Sequence, residues 1–107
     1  MSHQHDTVFR SLSDPTRRAI FEHLCLDGAQ NVLALTEHAG ISQPAVSKHL
    51  AVLKQAGLVS GRQEGRQTRY VANVEALAPL VDWTRTMSRF WDAKLDDLDD
   101  LLKRMDQ

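Results

Sequence analysis

Ser42-Gln-Pro-Ala-Val-Ser-Lys-His-Leu-Ala-Val-Leu-Lys-Gln-Ala-Gly-Leu-Val59 is the stretch from which the fold is read. Ser42 has the short hydroxyl side chain that caps a helix N-terminus, and Pro44 falls in the first turn, where a missing N–H costs nothing. Gly57 is placed to close the helix just beyond its C-cap. On a 3.6-residue wheel Val46, Leu50 and Leu53 share one side. Pro44, Ser47, Lys48, Ala51 and Gln55 share the other, with Gln43 near its edge. Small residues let such a face approach closely, and its amide, hydroxyl and ammonium groups can hydrogen-bond base edges or phosphates in a DNA major groove. The same helix alone could equally be a core helix with a solvated face, and its flanks decide between the two.

Upstream, Asn31 to Gly40 reads as a shorter helix separated from Ser42 by Ile41 alone, and two helices joined by a tight Gly-containing turn form a helix-turn-helix. Downstream, Val59 to Arg62 and Thr68 to Val71 read as strands with Glu64-Gly65 as the turn, a hairpin wing carrying Arg62, Arg66 and Arg69. The expected contacts follow. Gln43, Ser47 and Lys48 face bases, and Ser42, Pro44 and His49 lie close to the DNA backbone, with His49 either touching phosphate or buttressing the core. Arg62, Arg66 and Arg69 grip phosphates or the minor groove.

The remainder reads as a mainly α chain with one small β-hairpin: a winged helix-turn-helix with a long C-terminal dimerisation helix. It is expected to form a single domain over residues 1–107, with the helix-turn-helix at about 31–57, the wing at about 58–72 and the last helix at about 74–105. Residues 1–6 read as unstructured and Thr7 to Leu12 as a short helix. Asp14 caps a helix from Pro15 to about Leu26, with Gly28 beyond it, Ile20 and Leu24 inward and Phe21 beside them. In the last helix Pro79 puts the start either near Val74, with a kink, or at Ala78. Leu80, Thr84, Met87, Trp91, Leu95, Leu98, Leu102 and Met105 recur at a mean step near 3.6, and Leu77, Val81, Phe90 and Leu101 widen the stripe. A helix of this length spans roughly 40 Å, more than one winged-helix core can cover. A second copy is the simplest cover, with Val8 and Leu12 of the first helix alongside. The alternative, a helix folded back on its own domain, would leave a long sticky stripe.

The 107 residues carry a net charge of −1, but unevenly. Residues 41–70 hold +4, against −2 for 1–40 and −3 for 71–107, so the basic block coincides with the helix-turn-helix and wing. No apolar run approaches 18 residues, and Met1 to Asp6 lacks a secretory pattern. One cysteine, Cys25, precludes an internal disulfide, fits a reducing cytoplasm and reads as a buried structural thiol. Asp96, Asp97, Asp99 and Asp100 read as a solvated helix face rather than catalytic carboxylates. No nucleophile elbow, P-loop or dinucleotide fingerprint is present, so neither an enzyme nor a cofactor is expected.

Four segments in order resemble the ArsR/SmtB family of bacterial transcription factors. They are Leu12-Ser-Asp-Pro-Thr-Arg-Arg-Ala-Ile-Phe-Glu-His-Leu24, Ile41-Ser-Gln-Pro-Ala-Val-Ser-Lys-His-Leu50, Lys54-Gln-Ala-Gly-Leu-Val59 and Glu64-Gly-Arg-Gln-Thr-Arg-Tyr70. The resemblance implies a dimeric winged-helix repressor acting at an imperfect inverted repeat. Phe90-Trp-Asp-Ala-Lys-Leu-Asp-Asp-Leu98 resembles the ending of members that lack the family's usual metal ligands. Asn31-Val32-Leu33 stands where one family site has a Cys-X-Cys pair. The last helix keeps Asp82 but has no histidine, where another site uses two. His3 and His5 could hold a metal only loosely in a tail, and His23 and His38 read as surface or packing residues. The expected partners are double-stranded DNA and a second copy, with no membrane, no metal and an unidentified small-molecule or redox effector. Two rivals stay open: a metal- or thiol-responsive repressor on the same fold, and a winged helix that binds protein alone.

Overall fold

The computed structural model describes residues 3–106, with side chains from residue 6 onward. The chain runs α1 (His3–Ser13), α2 (Pro15–Asp27), β1 (Gln30–Asn31), α3 (Val32–Ala39), α4 (Gln43–Gln55), β2 (Val59–Glu64), β3 (Gln67–Ala72), a 3-10 turn (Val74–Leu77) and α5 (Ala78–Met105). The expected winged helix-turn-helix is present, and the three strands form an antiparallel sheet in the order β1-β3-β2.

Side-chain caps set the helix starts. Asp14 Oδ2 accepts from the Arg17 N–H at 2.8 Å, Asn31 Oδ1 from the Ala34 N–H at 2.9 Å, and Ser42 Oγ from the Ala45 N–H at 3.3 Å. Each satisfies one of the donors that a helix N-terminus leaves without a partner. Gly40, at φ +68°, ends α3 in the left-handed region, which glycine adopts at no steric cost, and this makes the tight turn into α4. At the far end of α4, Gly57 N–H donates to the Lys54 carbonyl and Leu58 N–H to the Leu53 carbonyl. These bonds turn the chain from α4 into β2.

Val46, Leu50 and Leu53 of α4 join Val8, Ile20, Phe21, Leu24, Leu35, Leu58 and Val59 in one core, each at most 4% exposed. At ~1.5–3 kcal/mol per fully buried aliphatic or aromatic side chain, these contacts orient α4. Its opposite face is solvated because its greasy face is committed.

Four expectations need correction. The start is not unstructured from residue 1 to 6, because α1 begins at His3; Met1 and Ser2 lie outside the described residues. Asp6 in the first turn complements the helix dipole, and Phe9 meets Trp83 of α5 edge to face at 5.2 Å, so α1 has a surface to form on. The hairpin turn is Gly65-Arg66, one residue later than read, because Gly65 takes φ +62° and lets the ladder continue through the Glu64–Gln67 pair. Val8, placed in the dimer stripe, is 1% exposed in the single chain, so a partner has nothing left to cover there. Cys25 is exposed rather than buried. Partial desolvation and, second, the Glu22 charge hold its thiol above its ordinary pKa, which disfavours the reactive thiolate.

Asp14 gives a pH prediction. The Arg17 N–H bond is the largest cause holding its carboxyl below the ordinary 3.8, opposed by desolvation and assisted by the His49 and Arg17 charges. A depressed carboxylate contributes stability that is present above its ordinary pKa and is lost as pH falls through the lowered folded value. Asp14→Asn keeps a good cap without the charge. Acid unfolding followed by circular dichroism should therefore show a shallower loss of stability below about pH 4 for Asp14→Asn than for the unsubstituted protein.

Candidate nucleic-acid interface

The outer face of α4 lies between two flanks. On one side Gln43 and Ser47 face the wing across an open cleft of about 310 Å³, completed by Asn31, Val32, Leu33, Arg66, Gln67, Thr68 and Tyr70. No carboxylate lines it. On the other side Ala45, Lys48, His49 and Val52 face Arg17 of α2. Ser42, Gln43, Pro44, Ser47 and Lys48 are all exposed, and His49 is half-buried.

Antiparallel alternation sorts the wing arginines. Arg62 pairs with Arg69 across the ladder, so both share one face of the hairpin; Gly61 opposite Tyr70 and Gln63 opposite Thr68 share the other. Val59, on the second face, is buried, so that face looks inward and brings Thr68 and Tyr70 to the cleft beside α4. Gly61 leaves room there: a Cβ would meet Thr68 Cγ2 at 3.0 Å and Tyr70 Cε1 at 3.5 Å, so a larger residue requires Thr68 to give by a few tenths of an ångström. Arg66, in the turn, reaches the same cleft.

Arg69 is otherwise engaged. Its Nη2 donates to the Ala29 carbonyl at 2.9 Å, and its Nε lies 3.7 Å from Glu64 Oε2. It ties β3 to the segment entering β1, and a neighbouring carboxylate offsets its charge. The structure thus brings Arg66 together with Gln43 and Ser47 and places Arg62 and Arg69 on the other face of the hairpin. The wing itself is fixed to the helix-turn-helix by the Asn31 Nδ2 to Gln67 Oε1 bond at 3.0 Å. Asn31, Gln67, Thr68 and Tyr70 were not among the interface residues expected from the sequence. The alternation in Thr68-Arg69-Tyr70 was the available signal for two of them.

His23 and His38 pair with each other. Their rings stack with centroids 3.7 Å apart at 10°, joining α2 to α3, and His23 Nδ1 lies 2.7 Å from Asp27 Oδ2. Both read as surface or packing residues from the sequence; His38 is exposed, and the stack packs it against His23. Among the described residues no group of three or more His, Cys, Asp or Glu side chains could hold a metal ion.

α5 is 28 residues long, about 42 Å, and buries none of its side chains. The chain extends 73 Å in its longest dimension, and its radius of gyration is 19.5 Å, against about 13 Å for a compact domain of this length. Phe90, Trp91, Leu95, Leu98, Leu101, Leu102 and Met105 are 48–71% exposed. Leu80 and Leu77 pack at the edge of the core, so the uncovered apolar face lies farther along the helix. No described helix is long and apolar enough to cross a membrane.

Comparison with known proteins agrees with this architecture. A family described as a helix-turn-helix domain matches residues 12–62. A probable mercury resistance operon repressor of Streptomyces lividans is 41% identical over 88 residues, 82% of this chain and 70% of that protein. The solved structure of an ArsR-like transcriptional regulator from Rhodococcus sp. RHA1 is 30% identical, covers 92% of each chain and superposes with a TM-score of 0.75. A homodimeric winged helix-turn-helix DNA-binding domain from Mycobacterium bovis, solved in solution and described as a possible ArsR-family regulator, is 28% identical. It covers 80% of this chain and 79% of its own, with a TM-score of 0.65. These relatives are regulators, in keeping with a chain in which no catalytic constellation is read. A basic helix-turn-helix, a hairpin wing facing its second helix and relatives at this identity and coverage together place the chain in the ArsR family of DNA-binding transcriptional regulators.

Proposed function

We propose that the chain is a homodimeric repressor that occludes a promoter by docking two copies of α4 on an inverted-repeat operator. The observation that carries this reading is the acid-free cleft in which Gln43 and Ser47 of α4 meet Arg66 and Thr68 of the wing. A major groove receives the helix, and the wing meets the adjacent backbone or minor groove. Lys48, on the opposite flank of α4, reaches the bases or the second phosphate strand. The acidic remainder of the chain is repelled from phosphate and orients the docked face.

The salt dependence of binding tests the mode. Each phosphate contact contributes about −0.9 to the slope of log affinity against log salt. Arg66→Ala removes one contact from each copy in the dimer, so it should make the slope shallower by about 1.8 while leaving sequence preference unchanged. An unchanged slope, measured by fluorescence anisotropy across a salt series, would remove Arg66 from the interface.

In this reading operator release does not require Zn²⁺, Cd²⁺ or arsenite. Asn31 and Leu33 cannot supply thiolates, and α5 offers Asp82 without imidazole. A tetrahedral site needs three or four such ligands, and an allosteric metal must bind the two states with different affinity, typically by about 1–3 kcal/mol. Operator affinity should change by less than about tenfold between excess zinc and chelator, tenfold being about 1.4 kcal/mol. A larger change, abolished by substituting His3, His5 or Cys25, would instead establish a metal sensor.

A further inference from the structure

If α4 enters the major groove, something must fix its angle against the body of the protein. Arg17, in the first turn of α2, is half-buried where three helices meet. Its Nε donates to the Ser11 carbonyl at 2.6 Å and its Nη2 to the Arg10 carbonyl at 3.3 Å. Both acceptors belong to the last turn of α1, where the negative end of the helix dipole attracts a cation; the Arg10 carbonyl also accepts from Ser13 Oγ at 2.7 Å. Its Nη1 lies 3.4 Å from Nδ1 of His49, on α4. The same residue's N–H is held by the Asp14 carboxylate, so the base of the side chain is also fixed. α1 in turn rests on α5 through Phe9 and Trp83.

The neighbouring Arg18 is a contrast within the same turn. Its Nη1 donates to the Leu12 carbonyl at 2.8 Å, closing the end of α1, and none of its bonds reaches α4. Arg17, by contrast, joins the end of α1 to the recognition helix. Its guanidinium donors are directed at protein acceptors on both sides, unlike Arg66, which stands in the open cleft. A rigid planar fork suits three acceptors in different directions, and an ammonium group on a flexible stem does not.

We propose that Arg17 is a positioning residue for DNA recognition. It acts through His49 to hold α4 at a fixed angle to α1, and thereby to the α1–α5 layer, without itself touching DNA. The proposal rests on the DNA-docking reading of α4. It predicts that affinity depends on a residue that carries none of the counterion release. It also predicts that charge alone, supplied as lysine, does not substitute for the fork.

The experiment measures duplex affinity, its salt slope and thermal unfolding for the unsubstituted protein, R17K, R17A, H49A and the R17A/H49A pair, each well below its unfolding temperature. Losing the link should weaken binding by about tenfold in both R17K and R17A, the scale of one part-buried hydrogen bond to a charged group. The salt slope should stay the same. The double variant should bind no worse than R17A, because both substitutions remove one link, and the unfolding temperatures should show the same non-additivity without DNA. A slope shallower by about 1.8, about 0.9 from each subunit, with R17K binding like the unsubstituted protein, would make Arg17 a direct phosphate contact and overturn the proposal. Additive losses or unchanged affinity in R17A would overturn it too. An unsubstituted protein that binds no duplex would overturn the DNA-docking reading and this proposal with it, whereas every other outcome leaves that reading standing.

Discussion

Leu95→Asp should convert a dimer to a monomer at micromolar concentration and lower operator affinity by more than about a hundredfold, although Leu95 faces no DNA. The warrant is the apolar stripe of α5. Leu95 is 58% exposed and Trp91 is 59% exposed in the single chain, on a helix that buries no residue of its own. Covering such a stripe with its symmetry mate removes apolar surface twice for every residue, because a two-fold interface uses the same patch on both subunits. Trp91→Ala should cost about 3–5 kcal/mol of dimer stability if the ring is fully buried in the pair. A buried aspartate without a partner should cost more. The core of each subunit is built by other helices, so far-ultraviolet circular dichroism should remain that of the folded protein. Sedimentation velocity reads the mass, and a wild-type monomer at micromolar concentration would end the idea. Two-site DNA recognition would fail with it, since one recognition helix spans a single half-site.

The winged helix was legible because its decisive positions obey local rules. Ser42 and Asp14 cap helices from their side chains, and Gly40 ends α3 in the only region that makes a turn this tight. Val46, Leu50 and Leu53 follow the helical period and are buried. Other features depend on tertiary pairing. β1 is two residues long and has no period of its own; it exists because Gln30 and Asn31 lie opposite Tyr70 and Arg69 of a strand forty residues away. The hairpin turn was misplaced by one residue because Glu64-Gly65 and Gly65-Arg66 both contain the glycine, and the ladder register decides between them. Cys25 was read as buried from its leucine neighbours, yet a helix flanked by leucines turns its residues through 100° at each step, and Leu26 beside it is 84% exposed.

The candidate interface divides in the same way. The residues on α4 were legible from the helical wheel alone. The unequal roles of the three wing arginines were not, because strand alternation assigns faces only once the register is known. Arg69 also finds the Ala29 carbonyl and Glu64, partners that no sequence window contains. Arg17 has no role in any single helical wheel and becomes a junction only when α1, α2 and α4 converge.

Sequence preference should depend on α4 and hardly at all on the wing. Gln43→Ala or Lys48→Ala should each relax discrimination between operator and unrelated duplex by about 1–3 kcal/mol if a bidentate base contact is lost. The two substitutions should relax different positions of the half-site. Gln43 stands on the wing side of α4 with Ser47, and Lys48 stands on the side of α2 with Ala45 and His49, so the two side chains leave the helix toward opposite strands. Selection of bound fragments from a random duplex pool, followed by sequencing, separates these effects base by base. Arg66→Ala in the same selection should return the unsubstituted motif at lower overall affinity. If Gln43→Ala and Lys48→Ala also return that motif unchanged, the polar face of α4 does not read bases. The protein would then have to recognise its operator through the shape of the DNA, with α4 serving only to neutralise phosphate.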